Sequence, residues 1–231
     1  MRLFVLSIGL IGFLVLVGAG CSSSLVPEAK APAVISLPVA SSTSPLPMAT
    51  STALAFPGVR PIEQINKKIR IKTTKGDIRI QIDPEAGPNA ASNFVYLVEQ
   101  SFYRGGIFHR VIPGFMIQGG DPTGTGFSGP GYSIPDDVVK NLPTRTVPVD
   151  NGTRSAPYYP KGLVAMANKG TPGSGGSQFF IMVADYPLPP SYSVFAHVIE
   201  GQGVADAIAA SARDESDRPI EEVRMIEVTV E

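Results

Sequence analysis

Two short runs of strict alternation constrain the fold more than any other feature of this chain. Ile69, Ile71 and Thr73 alternate with Lys68, Arg70 and Lys72. After Lys75-Gly76-Asp77 the pattern resumes, with Ile78, Ile80 and Ile82 set against Arg79, Gln81 and Asp83. Successive side chains on a strand point to opposite faces, so this pattern on both sides of a glycine-containing turn predicts a β-hairpin with one apolar face and one charged face. The apolar face has to be covered. Pro88 suits a first helical turn, and Ala90, Phe94, Leu97 and Val98 follow at helical spacing up to Gln100, which supplies one cover. Further strands are predicted over 107–112, 162–167, 178–184, 193–199 and 223–230, with a second helix over 203–212. Many strands, two helices and glycine-rich connections imply a mainly β fold, a closed antiparallel barrel capped by two α-helices.

The 231 residues carry 19 Lys and Arg against 20 Asp and Glu, a net charge of -1. A protein built to bind nucleic-acid backbone would show a basic excess, so no nucleic-acid partner is expected. His109 and His197 stand far apart with no ligand spacing, and no metal or cofactor is expected. The one cysteine cannot form an internal disulfide. Arg2, an apolar run from Leu3 to Val17 and the small residues Gly18-Ala19-Gly20 have the layout of a secretory signal peptide, too short and glycine-rich to span a membrane comfortably.

The cysteine comes next, and Gly18-Ala19-Gly20-Cys21 resembles the lipobox of bacterial lipoproteins, in which that cysteine is acylated. The resemblance implies that residues 1–21 are a signal segment and that a lipid on Cys21 anchors the protein to a membrane outside the cytoplasm. A secreted or periplasmic protein is the alternative. Residues 22–66, with prolines at 27, 32, 38, 45, 47, 57 and 61 and few charges, read as an extended tether. Residues 67–231 then form the folded domain, expected to be a monomer.

Within that domain, Phe108 to Asp121 sets Arg110 and Gln118 among Phe108, Phe115 and Met116, punctuated by glycines and Pro113. A core strand has no use for the charge, and a solvated loop has none for the apolar bulk. Phe108-His109-Arg110, Gly114-Phe115-Met116-Ile117-Gln118-Gly119-Gly120-Asp121, Met166-Ala167-Asn168 and Gly176-Ser177-Gln178-Phe179-Phe180-Ile181 stand in the order found in cyclophilins. Val194-Phe195 and Val198-Ile199-Glu200-Gly201 continue it. From about Lys67 to Glu231 the chain resembles a cyclophilin-type peptidyl-prolyl cis-trans isomerase. The resemblance implies eight strands in the barrel and an activity that accelerates X-Pro rotation in unfolded or partly folded polypeptides.

That chemistry needs neither nucleophile nor proton transfer. The X-Pro amide turns slowly because its C–N bond has partial double-bond character, with a barrier near 20 kcal/mol. Rotation breaks the conjugation and returns a lone pair to the prolyl nitrogen. A donor placed there stabilises the twisted state more than the planar one. A guanidinium suits the task, being permanently charged with its donors fixed in a plane.

The resemblance assigns this role to Arg110. It assigns the proline slot to Phe115, Met116, Phe180 and Leu188, and a substrate carbonyl contact to Gln118. Ala167 and Asn168 would line the peptide groove, Gln178 its edge, and Tyr192 the position where relatives often have histidine. His109 reads as a buried structural residue bonded to backbone. Where the family carries an aromatic far wall this chain has Pro187, with Tyr186 able to supply the ring. Residues 138–160, with their prolines and Tyr158-Tyr159, are longer than in compact bacterial members and read as a tolerated surface insertion, the alternative being a segment that borders the groove and changes substrate choice. The alternative function is a non-catalytic domain of the envelope that grips proline-containing segments as a chaperone or scaffold. It would need the pocket but not Arg110 with Gln118.

Overall fold

The computed structural model describes residues 54–231, apart from positions 138, 141 and 151 and the side chain at 149. The stretches expected to be signal segment and, as far as residue 53, tether lie outside the described residues, as does Cys21. The helices are α1 (Ile62–Ile65), α2 (Pro88–Glu99) and α3 (Gln202–Ala209), one more than the two expected. The strands are β1 (Lys68–Thr73), β2 (Gly76–Ile82), β3 (Arg110–Ile112), β4 (Met116–Gly119), β5 (Thr144–Val149), β6 (Gly152–Pro157), β7 (Leu163–Met166), β8 (Phe179–Met182), β9 (Val194–Glu200) and β10 (Met225–Val230).

The alternating runs form the hairpin β1–β2. Ile69 lies opposite Ile80 and Ile71 opposite Ile78, all fully buried. The charged face points out, and Arg70 meets Asp77 at 2.6 Å. Thr73 closes the turn: its hydroxyl donates to the Gly76 carbonyl at 2.7 Å and accepts from the Lys75 N–H at 3.0 Å. The buried face packs on α2, whose Phe94 ring sits 5.0 Å from Tyr103, 5.2 Å from Phe179 and 4.8 Å from Phe195. The late part of the stretch read as tether lies on this same core. Leu54, Phe56 and Ile65 pack against it, and Arg60 pairs with Glu99 on α2 at 2.9 Å.

Eight strands run antiparallel in the order β10-β1-β2-β9-β7-β8-β4-β3. The sheet curls into an open half-barrel, which corrects the expectation of closure. Its end strands, β10 and β3, form no ladder with each other. Between them runs the segment before β3, where Gly105 has φ +77°. Only the bridge Ile107–Arg224 and a few backbone bonds, such as Gly105 N–H to Met225 O at 2.7 Å, cross the seam.

Strands β5 and β6 form a separate two-stranded sheet in the region read as a surface insertion. The Tyr158 N–H donates to Pro143 O, so the alternating antiparallel pattern puts the bonded pairs at Arg145/Ala156 and Val147/Arg154. Pro148 and Pro157 fall at non-bonded positions, where a missing N–H costs the ladder nothing.

Candidate functional site

β8 is buried on both faces because it separates two apolar clusters. Phe179 and Ile181 point into the main core. Phe180 and Met182 point the other way, into a second cluster with Met116, Ala165 and Tyr159. Register turns this outward face into a site. Arg110 pairs across to Gln118, Gln118 to Phe180, and Phe180 to Ala165, a single row over β3, β4, β8 and β7. Ile112, Met116 and Met182 form the next row. Directly opposed side chains on neighbouring strands lie about 5 Å apart, so a guanidinium and an amide stand at the rim of an apolar floor.

A cavity of about 560 Å³ opens over this floor. Arg110, Phe115, Met116 and Gln118 line it from the 108–121 stretch. Ala167, Asn168 and Phe180 line it from the ends of β7 and from β8, and Leu188 and Tyr192 from the loop after β8. Gln178 lines a neighbouring cavity of about 430 Å³ that shares Gln118, Ala167 and Asn168 with the first. Gly120 makes the approach of these segments possible. It has φ +89°, and a Cβ there would lie 2.3 Å from the Ser177 carbonyl oxygen.

Hydrogen bonding fixes how the amides face. Gln178 Nε2 donates to the Gly126 and Ser128 carbonyls at 2.9 Å each, which turns its Oε1 toward Gln118 Nε2 at 3.0 Å. Gln118 Oε1 then has no described partner. The Asn168 side chain is already engaged: Nδ2 donates to Ser191 O in the loop after β8 at 2.8 Å, and Oδ1 accepts from Gly170 N–H at 3.0 Å. Arg110 is partly exposed and reaches Asp217 at 3.6 Å. Asp217 holds a left-handed φ of 63°, and its carbonyl accepts from the Val111 N–H at 2.8 Å. One backbone bond therefore sets its carboxylate beside the arginine that precedes Val111.

The far wall is built from segments distant in sequence. Tyr159 is fully buried beneath the far wall. Its hydroxyl donates to Tyr192 O at 3.1 Å and accepts from Tyr192 N–H at 3.2 Å, and burial pushes the phenol up to about 12. Tyr192 in turn meets Phe180 edge to face at 5.4 Å. Tyr186 does not line the slot. Its ring stacks on Phe115 at 4.2 Å and braces it, while Pro187 lines a different cavity.

On the opposite rim, Asp121 organises the loop 123–128. Burial opposes its ionisation, but bonds from the Thr123 hydroxyl and N–H and from the Ser128 and Gly126 N–H groups outweigh this. They hold its carboxyl far below the usual range. The loop displays Phe127 at 88% exposure between the two cavities. His109 also departs from expectation. It is buried, but its Nδ1 finds no partner among the described residues, and burial lowers its pKa below the ordinary value. Among the described residues no group of three or more His, Cys, Asp or Glu converges as a metal site would require.

Comparison with known proteins agrees with this geometry. The family model described as cyclophilin type peptidyl-prolyl cis-trans isomerase/CLD matches residues 68–230. Peptidyl-prolyl cis-trans isomerase A of Mycobacterium tuberculosis is 40% identical over 178 residues, covering 69% of this chain and 90% of that protein. Peptidyl-prolyl cis-trans isomerase B of Streptomyces anulatus is 40% identical over 180 residues, 70% of this chain and 94% of that one. A Cryptosporidium parvum cyclophilin-type isomerase, crystallised in the presence of the dipeptide Ala-Pro, superposes with a TM-score of 0.60 at 31% identity, covering 71% of this chain and 99% of that one. The chain belongs to the cyclophilin-type peptidyl-prolyl cis-trans isomerases.

Proposed function

We propose that this isomerase works outside the cytoplasm, tethered to a membrane through Cys21, and turns X-Pro bonds in polypeptides that are folding there. The proline ring enters over Met116 and Phe180, between Phe115 and Leu188. Arg110 meets the prolyl nitrogen as its lone pair returns. Its donors are committed to no described group except the contact with Asp217, so they cost no rearrangement when the bond twists. Asp217 aims the guanidinium without neutralising its ability to donate. Gln118 holds the substrate backbone through the second hydrogen of Nε2 and through Oε1. The N–H and C=O of Asn168 and the surface of Ala167 take the flanking peptide, with Gln178 keeping Gln118 in place and Tyr192 closing the wall. No proton changes hands and no bond is made or broken.

The observation that carries this assignment is the Arg110–Gln118–Phe180 row, which sets donor, amide and ring platform side by side. Exchange NMR on a peptide with one X-Pro bond tests it. Phe115→Ala should raise KM with a smaller effect on kcat, whereas equal losses in both would remove the division between slot and donor. The signal segment and the lone cysteine at its end support the tether, and a separate measurement tests that part. Cys21→Ser should move the protein from the membrane to the soluble fraction, and unchanged membrane association would refute lipidation.

A further inference from the structure

The free edge of β6 forms a second groove. Because the bonded pairs with β5 are at Arg154 and Ala156, the backbone groups of Thr153, Ser155 and Pro157 face away from β5. Farther along this edge, Tyr159 and Tyr186 exchange backbone bonds in both directions, at 2.9 and 3.0 Å. Continued pairing would lay residues 187–190 alongside 155–158. At the next bonded positions, Pro157 opposite Leu188 and Pro190 opposite Ser155 have no N–H to give, and no described backbone bond joins the two segments beyond the Tyr159–Tyr186 pair. They diverge around a cavity of about 310 Å³, with Arg154 to Pro157 on one wall and Pro187 to Pro190 on the other. Leu188 lines both this cavity and the proline slot, so the two adjoin.

We infer that this groove takes an extended segment of the substrate polypeptide flanking the proline, paired through its backbone to Ser155 on the β6 edge. This rests on the slot being where the proline binds. One wall offers a strand edge with the Ser155 N–H and C=O, which have no described backbone partner, and the other offers a largely apolar surface of proline rings and Leu188. Those are the two elements of strand addition, a backbone ladder for affinity and an apolar surface for side chains. A segment of about four residues, at roughly 3.3 Å each, spans such a groove. Arg154 makes no ion pair with a described carboxylate, so the groove favours an acidic residue in that segment. The partner is therefore an unfolded chain rather than a short peptide, and the hairpin added to the domain is a substrate-binding element.

The test compares kcat/KM on a tetrapeptide containing one X-Pro bond with kcat/KM on peptides extended by six residues before or after the proline, carrying an acidic or a basic residue. Extension on one flank should raise kcat/KM on the order of tenfold, mainly through KM and more for the acidic peptide. Ser155→Pro removes the outward N–H at a position where the ladder tolerates proline, and Arg154→Glu reverses the charge with the backbone intact. Both should keep the wild-type rate on the tetrapeptide. Ser155→Pro should lose most of the gain, and Arg154→Glu should lose the preference for the acidic peptide. Equal values for short and long peptides in the wild type, or a gain that survives both substitutions, would overturn the inference. The tetrapeptide value reports the slot alone, so a fault in the slot is distinguishable from a fault in the groove.

Discussion

Phe179 and Phe180 are neighbours on one strand, buried almost equally, and face different surroundings. Phe179 points into the main core and meets Phe94, Tyr103 and Phe108. Phe180 points outward to Tyr159 and Tyr192 and to the open cavity. Fractional burial does not separate them. What differs is whether the layer beyond is complete. The inner layer is closed by α2, while the outer one stops short, and the gap it leaves is the slot. A strand of this kind serves folding with one face and binding with the other.

The largest expected effect breaks the comparison on the inner side. Phe179→Ala should destabilise the domain by about 3–5 kcal/mol, read from chemical denaturation. Phe180→Ala should cost less, about 1.5–3 kcal/mol, because the space it leaves opens to solvent, and it should raise KM well above wild type. Equal stability losses for the two would erase the distinction between the faces. Tyr159→Phe should lower stability by about 1 kcal/mol through its lost hydroxyl bonds, and it should raise KM because Tyr192 loses its clamp. A change in stability with KM unmoved would make Tyr159 a core residue only. Asp217→Asn should lower kcat only a few-fold with KM unchanged, since a partly exposed pair at 3.6 Å contributes about 0.2–1 kcal/mol.

The smallest effect is in pH. Burial, opposed by Asp121 and reinforced by Arg218 and Arg110, keeps His109 neutral to lower pH in the fold than in the unfolded chain. The unfolded chain therefore takes up the proton first. Stability is full above about pH 6.5 and falls as pH drops from there toward the lower folded value. His109→Gln should flatten that part of the melting profile, and an unchanged slope would assign it to other groups.

The near half of the site was legible because residues adjacent in the chain stay adjacent on a hairpin. Arg110, Phe115, Met116 and Gln118 belong to β3, β4 and the turn between them, so a motif in sequence is also a patch in space. The strand β4 itself was not anticipated, since four residues between glycines show little periodicity. Elsewhere the patterns were local and the outcome was not. Alternation in β1 and β2 implied a sheet with one buried face, but whether its ends meet depends on how β3 and β10, distant in sequence, come to lie. Prolines are disfavoured inside sheets, and the register places Pro148 and Pro157 where no bond is needed. The cluster of turn-forming residues Asp150-Asn151-Gly152 was the signal that could have found β5 and β6. Tyr159 and Asp217 act through contacts made only when distant segments pack, and no spacing rule reaches them.

The most direct test separates holding the ring from turning the bond. For wild type and Arg110→Ala, the dissociation constant of an X-Pro peptide and its cis–trans exchange rate while bound would be measured on the same sample by NMR. Binding should stay within a few-fold while bound-state exchange falls by about two to three orders of magnitude, the usual loss when one preorganised donor is removed. Exchange that persists at the wild-type rate in Arg110→Ala would contradict the role given to the guanidinium.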